Sequence, residues 1–232
     1  MDLLIRKKNE VYLKVEAEPH INYELADFFC FEVESAKYIQ KQRRWKGWDG
    51  KIRLYSPATG EIYCGLLDYL MDWADEKGYT YRMEDCKFFG HPLDQNDFIT
   101  PESVVGFVKS LGLPPELKVR DYQYKAIYEA LKYNRRLLLS PTASGKSLMI
   151  YALVRFHANV DRNILIVVPT TSLVEQMYKD FEEYGWMCSE NCHKIYAGQE
   201  KYTKHQVVIT TWQSIYKEPR KWFDRFDVVI GD

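Results

Sequence analysis

The residues with the clearest chemical purpose stand together at Ser140-Pro141-Thr142-Ala143-Ser144-Gly145-Lys146-Ser147, between an apolar run and a stretch of helical periodicity. A loop that opens a helix in this way aims successive backbone N–H groups at one point, and the helix N-terminus adds partial positive charge there. Such a site suits the phosphates of ATP with Mg2+: Lys146 would reach the β and γ phosphates, and the Ser147 hydroxyl would hold the metal. The pattern G-x-x-x-x-G-K-[ST] is met except at its first position, where Ser140 replaces glycine. A helix that merely begins on Gly-Lys-Ser would show the same tripeptide, so the neighbouring blocks must decide.

A second group of residues suits a polyanion. Lys37, Lys41, Arg43, Arg44, Lys46, Lys51 and Arg53 crowd one stretch against Asp49, interleaved with Tyr38, Trp45 and Trp48. Cations for phosphates beside aromatic rings for stacking make a nucleic-acid footprint. The plainer alternative is a solvated charged face over core tryptophans. A third group, Cys188, Cys192 and His193, could open a zinc site, but structural zinc wants four ligands in two pairs and no second pair follows.

The elements that must position these residues divide the chain in two. From about residue 117 onward, apolar runs at Leu137–Leu139, Ile164–Val168, Val207–Ile209 and Val228–Ile230 read as strands buried on both faces. Between them, 146–157 and 171–184 carry apolar residues at i, i+3, i+4, i+7. Such alternation predicts a parallel sheet covered by helices on both sides. The front part reads as a small α+β unit. It comprises a hairpin over 3–17, a helix near 23–29, strands at 51–55 and 61–63, a helix with Leu66, Tyr69, Leu70 and Trp73 on one face, and a strand at 79–83. Thr100 as N-cap with Pro101 at the first position opens one more helix, striped by Val104, Phe107, Val108 and Leu111. Gly112-Leu113-Pro114-Pro115 closes that helix and sets the expected boundary, giving domains 1–115 and 116–232.

With Pro141-Thr142 ahead of the loop, the stretch resembles motif I of superfamily 2 helicases, whose usual glycine is here Ala143. Arg120-Asp121-Tyr122-Gln123 resembles their Q motif, which implies that Arg120 and Gln123 serve the nucleotide, Gln123 through the edges of adenine. Val167-Val168-Pro169-Thr170-Thr171 resembles motif Ia, and Ala197-Gly198 and Ile209-Thr210-Thr211-Trp212-Gln213-Ser214 continue the likeness. The resemblance implies that Thr170, Thr211 and Gln213 meet nucleic acid, although Thr170 would cap a helix in any protein. Phe226-Asp227-Val228-Val229-Ile230-Gly231-Asp232 resembles motif II, which implies that Asp232 holds magnesium and that a glutamate would come next. On that likeness the chain is an incomplete motor, with the water-activating glutamate and second lobe on a further segment or partner chain, and little hydrolysis of its own. Asp27-Phe28-Phe29-Cys30-Phe31-Glu32 and Trp45-Lys46-Gly47-Trp48-Asp49-Gly50-Lys51 are similar to the N-terminal domain of bacteriophage recombination helicases. That similarity implies an ATP-dependent motor acting on branched DNA in recombination and repair, with Arg43, Arg44, Lys46, Trp48, Lys51 and Arg53 on the DNA.

Bulk properties agree with a packed cytoplasmic protein. The 232 residues are 46% hydrophobic and 15% aromatic, with a formal net charge of −1 that excludes a uniformly basic polymer binder. No run of eighteen apolar residues exists, and charges at Arg6-Lys7-Lys8 come too early for a secretory signal, so no membrane partner is expected. Five scattered cysteines fit a reducing compartment. Two other readings stay open: a restriction-system motor subunit, and a non-catalytic DNA-binding protein.

Overall fold

The computed structural model describes all residues except 10, 40, 42–46, 85–95, 134 and 197, and the backbone alone of Lys37. The chain separates into two compact units, Met1–Asp94 and Gln95–Asp232. No helix among the described residues is long and apolar enough to cross a membrane.

In the first unit, β1 (Leu3–Lys7) and β2 (Tyr12–Ala17) form the expected hairpin, its turn tied by the Asn9 side-chain carbonyl, which accepts from the N–H groups of Val11 and Tyr12 at 2.8 Å. Then come α1 (Pro19–Phe28), β3 (Cys30–Glu32), α2 (Ala36–Ile39), β4 (Lys51–Arg53), β5 (Tyr55–Ser56) and β6 (Glu61–Tyr63), with α3 (Leu67–Lys77) and β7 (Tyr81–Met83) closing the unit. The sheet order is β5-β6-β2-β1-β7, antiparallel except for the parallel β1–β7 pair. Alternation puts Leu3, Ile5, Leu13 and Val15 on one face, where Ile21 and Leu25 of α1 and Leu67, Leu70 and Trp73 of α3 cover them. Tyr69, expected on that stripe, is exposed instead. The segment 51–55 does not make one strand with 61–63: Lys51–Arg53 pairs back with Cys30–Glu32, and only Tyr55–Ser56 joins β6.

The second unit begins earlier than the boundary expected at residue 115. Its first helix, α4 (Pro101–Ser110), has the expected start, with the Thr100 hydroxyl accepting from the Ser103 N–H and Ser103 answering as a capping box. Its Val104 and Val108, however, share a core with Ile127 and Leu131 of α5 (Asp121–Lys132) and with Tyr151 of α6 (Lys146–Ala158). Gly112, with φ +66°, lets the chain turn without ending the packing. The rest runs β8 (Ile164–Val168), α7 (Thr171–Glu183), α8 (Cys188–Asn191), β9 (Cys192–Ile195), β10 (Val207–Thr211), α9 (Trp212–Ile215), α10 (Arg220–Phe223) and β11 (Val228–Gly231). The sheet is parallel throughout, in the order β11-β8-β10-β9. Ile164, Ile166, Val207 and Ile209 face the large core under α6 and α7, while Leu165 and Val208 face a smaller one with Ile215 and Trp222. The fold is the expected small α+β domain followed by a parallel α/β sheet.

Two strand expectations fail in an instructive way. Leu137–Leu139 joins no sheet among the described residues, and Leu137 and Leu139 are 85% and 90% exposed. An apolar run becomes a strand only with a ladder neighbour. β11 does pair, but only with β8 among the described residues, so it is half-buried and not covered on both faces.

Candidate functional site

The phosphate loop is held between two helices. Leu148 to Val154 of α6 are all buried, which fixes the helix whose N-terminus ends the loop. The loop reaches it through two left-handed residues, Ala143 at φ +62° and Gly145 at φ +78°. Although alanine lacks glycine's freedom, the backbone takes the positive φ there all the same. At Gly145 the positive φ favours glycine, and a Cβ would lie 2.3 Å from the Gln123 amide nitrogen, so any other residue there would push that amide aside.

Gln123 is the brace. It is 4% exposed, its side-chain carbonyl accepts from the Arg120 N–H at 2.9 Å, and its amide donates to the Ser144 carbonyl at 3.1 Å. Its hydrogen-bonding groups thus face the loop, whereas the family likeness assigns them to adenine. Tyr122, which was not among the sequence candidates, adds a second strut: its hydroxyl donates to the same Ser144 carbonyl at 2.9 Å and accepts from Arg120 at 3.2 Å. Its only signal in the sequence is adjacency to Gln123. Arg120, Tyr122 and Ser140 through Ser144 line one cleft of about 590 Å3.

On the other side of the loop, Ser140, Lys146 and Asp232 line a cleft of about 430 Å3 with Leu138 and Ile230. Asp232 is exposed just beyond β11, its N–H bonded to the Val167 carbonyl at 3.0 Å. Ser147 lies in the first turn of α6, half-buried. Among the described residues the Lys146 amine makes two long bonds, 3.4 and 3.3 Å, to the carbonyls of Ser140 and Pro141, and the Ser140 and Ser144 hydroxyls touch each other. A phosphate oxygen is a stronger acceptor for an ammonium than these carbonyls. The donor set therefore fits a triphosphate.

The carboxyl ends of β8, β9 and β10 deliver a separate cleft of about 530 Å3, in which Thr170, Thr211 and Gln213 come together with Tyr196, Gln199 and Lys201. Thr170 caps α7, accepting from the Leu173 N–H at 3.4 Å. Thr211 is buried, its hydroxyl 2.9 Å from that of Ser214, while Gln213 is exposed. Glu175 takes hydrogen bonds from the Tyr196 hydroxyl and from Lys194, which hold its carboxyl below the ordinary range. Tyr196, Gln199 and Lys201 lay outside the matched blocks and could not be read from them.

In the first unit, Arg43, Arg44 and Lys46 fall outside the described residues. Lys51 is 3.8 Å from Glu32, and both terminal nitrogens of Arg53 bond to Asp49. The Trp48 indole donates to the Lys51 carbonyl at 2.9 Å. The cysteine group serves packing. Cys188 and Cys192 are buried, mutual hydrogen bonding and burial push the Cys192 thiol up, and no metal-binding cluster occurs among the described residues.

Fold and loop together define a P-loop α/β unit preceded by a small α+β domain. Residues 116–232, half of the chain, match the family described as "Type III restriction enzyme, res subunit", and residues 2–84 match "DNA helicase UvsW, N-terminal". The chain belongs to the first of these families, whose match covers half of it. Over its whole length it is 30% identical to the ATP-dependent DNA helicase UvsW of Enterobacteria phage T4, of which it spans 46%. Two crystal structures of that helicase cover all of the chain with TM-scores of 0.77 and 0.78 at 28% identity, the chain spanning 82% and 47% of them. A DNA 3'-5' translocase, XPB2 of Sulfurisphaera tokodaii, is 25% identical over 70% of the chain and 35% of its own length. The chain thus spans about half or less of the curated relatives it matches.

Proposed function

We propose that the chain is the DNA-recognising and ATP-holding part of a helicase that works on branched DNA in recombination and repair. The observation that carries this is the braced loop: Gln123 and Tyr122 fix the Ser144 carbonyl while Lys146 and Asp232 share a cleft beside it. Lys146 binds the β and γ phosphates, and Ser147 and Asp232 hold the magnesium that screens their charge. The cleft with Thr170, Thr211 and Gln213 takes the sugar-phosphate chain, so nucleotide and nucleic acid both meet the carboxyl edge of one sheet. Arg43, Arg44, Lys46, Trp48, Lys51 and Arg53 belong to the recognition domain's DNA surface. Because Lys51 and Arg53 each face an acid, they stiffen that surface more than they neutralise phosphates. Hydrolysis and strand separation are assigned to the chain only together with polypeptide matching the rest of its relatives, in the same or a partner chain.

Lys146→Ala tests the nucleotide reading. Affinity for a fluorescent ATP analogue in magnesium buffer should fall at least tenfold, of order 1.4 kcal/mol or more, with DNA binding retained. Equal affinity in the two proteins would remove the loop from nucleotide binding.

A further inference from the structure

We propose that Phe31 and Ile52, paired across β3 and β4, form an apolar wedge that stacks on the nucleobases at a DNA branch point. The two residues are direct partners in the antiparallel register, so their side chains leave the ribbon on one face. Just beyond the ladder, Phe29 and Leu54, joined by the Leu54 N–H to the Phe29 carbonyl, pack into the core of the first unit. An apolar stripe therefore starts in the core and continues outward, where Phe31 and Ile52 remain 50% and 41% exposed.

Single exposed apolar residues are ordinary, but a cross-strand pair on a two-stranded ribbon is a liability unless something uses it. The ribbon is also stiffened beyond what two short strands provide. The Leu54 N–H bonds to the Phe29 carbonyl at 2.8 Å and the Val33 N–H to the Gly50 carbonyl at 2.9 Å. Asp49 accepts from the Lys51 N–H at 3.1 Å and holds the Arg53 guanidinium, and the Trp48 indole clasps the Lys51 carbonyl. On the opposite face, Glu32 and Lys51 pair across the strands. Its charges being matched there, the ribbon presents its apolar face.

The occupant follows from charge. Between β3 and β4 the sequence carries five cations against two acids, a balance that attracts a polyanion. A polyanion with flat apolar surfaces to offer is nucleic acid. Phenylalanine and isoleucine are side chains that insert at base steps, and insertion is least costly where stacking is already broken. A branch point provides that site and continuous duplex does not. This assignment rests on the DNA reading above and adds to it the residues that distinguish a branch from a plain duplex.

The test uses the full 232-residue chain, with 2-aminopurine placed either at the branch of a three-way junction or in mid-duplex. The intact chain should bind the junction about tenfold tighter than the duplex, with a fluorescence rise only at the branch. In F31A/I52A that preference and the fluorescence rise should disappear while duplex affinity holds. Phe31→Trp, which keeps a stacking face, should retain both. Because both side chains are half exposed, the variants should melt with the parent. Persistence of the junction preference and fluorescence rise in F31A/I52A, or an equal loss on both DNAs, would overturn the wedge and leave DNA binding standing. If the unaltered chain bound neither DNA, the underlying DNA reading would fail instead.

Discussion

At Ala143 a methyl group sits on backbone turned to φ +62°, a conformation that costs a non-glycine residue about 1–2 kcal/mol. Replacement by glycine removes that strain but gives the unfolded chain more freedom, an opposing effect of roughly 0.4–1 kcal/mol. Strain wins narrowly: Ala143→Gly should stabilise the chain by about 0.5–1 kcal/mol and raise its melting temperature by roughly 2 °C, as scanning calorimetry would record. Gln123 tests the neighbouring contact. Its conversion to alanine removes the acceptor of the Arg120 N–H and leaves the Ser144 carbonyl to Tyr122, at a cost of about 1–3 kcal/mol even without nucleotide. A residue that only touched adenine would leave the nucleotide-free melting curve where it was. That brace could not be read from the chain, because it depends on which way one amide points across a gap of twenty-one residues. Lys146, Ser147 and Gly145 were legible, since the local spacing that names them also creates the loop.

The elements divide according to what each needs from the rest of the molecule. Ile164–Val168 and Val207–Ile209 are plain in the sequence because strands covered on both faces run apolar without alternation. Leu137–Leu139 looks the same locally but has no ladder neighbour among the described residues, and β9 carries His193 and Lys194 where a buried run would be apolar. The β3–β4 ribbon was hidden differently, its halves standing some twenty residues apart with no alternation to announce them. Helix α4 shows that local signals fix a helix without fixing the unit it packs with. Its cap and its Gly-Leu-Pro-Pro stop were both read, yet which side it packs on is a tertiary fact. A chain starting at Gln95 keeps Val104 and Val108 in the second unit's core, and one starting at Glu116 loses them. Without them the apolar partners on α5 and α6 lose their cover, so the shorter chain should unfold at the lower urea concentration. Equal midpoints for the two chains would return α4 to the first unit.

At the scale of the whole molecule, the two units have separate cores, and acid should reach the second by a route that one histidine controls. His157, near the end of α6, has its pKa pushed down to about 4, first by burial and then by the Arg162 guanidinium, whose Nη1 lies 3.3 Å from Nδ1. In the unfolded chain the same ring titrates near the ordinary value of about 6.5. As pH falls, the unfolded state therefore takes up the proton first, and stability drops from about pH 6.5 until the folded ring also protonates near 4. The carboxyls held low in the fold, Asp2, Asp49 and Glu175, act only further down, around and below the usual carboxylate range. The interval from pH 6.5 to 5 thus isolates the imidazole. After allowance for its partial exposure, the loss across that interval should be about 1 kcal/mol. His157→Gln keeps an acceptor for Arg162 and cannot titrate, so its unfolding free energy should stay flat from pH 6.5 to 5 while that of the parent chain declines. A decline of the same slope in both proteins would show that the proton is taken up elsewhere.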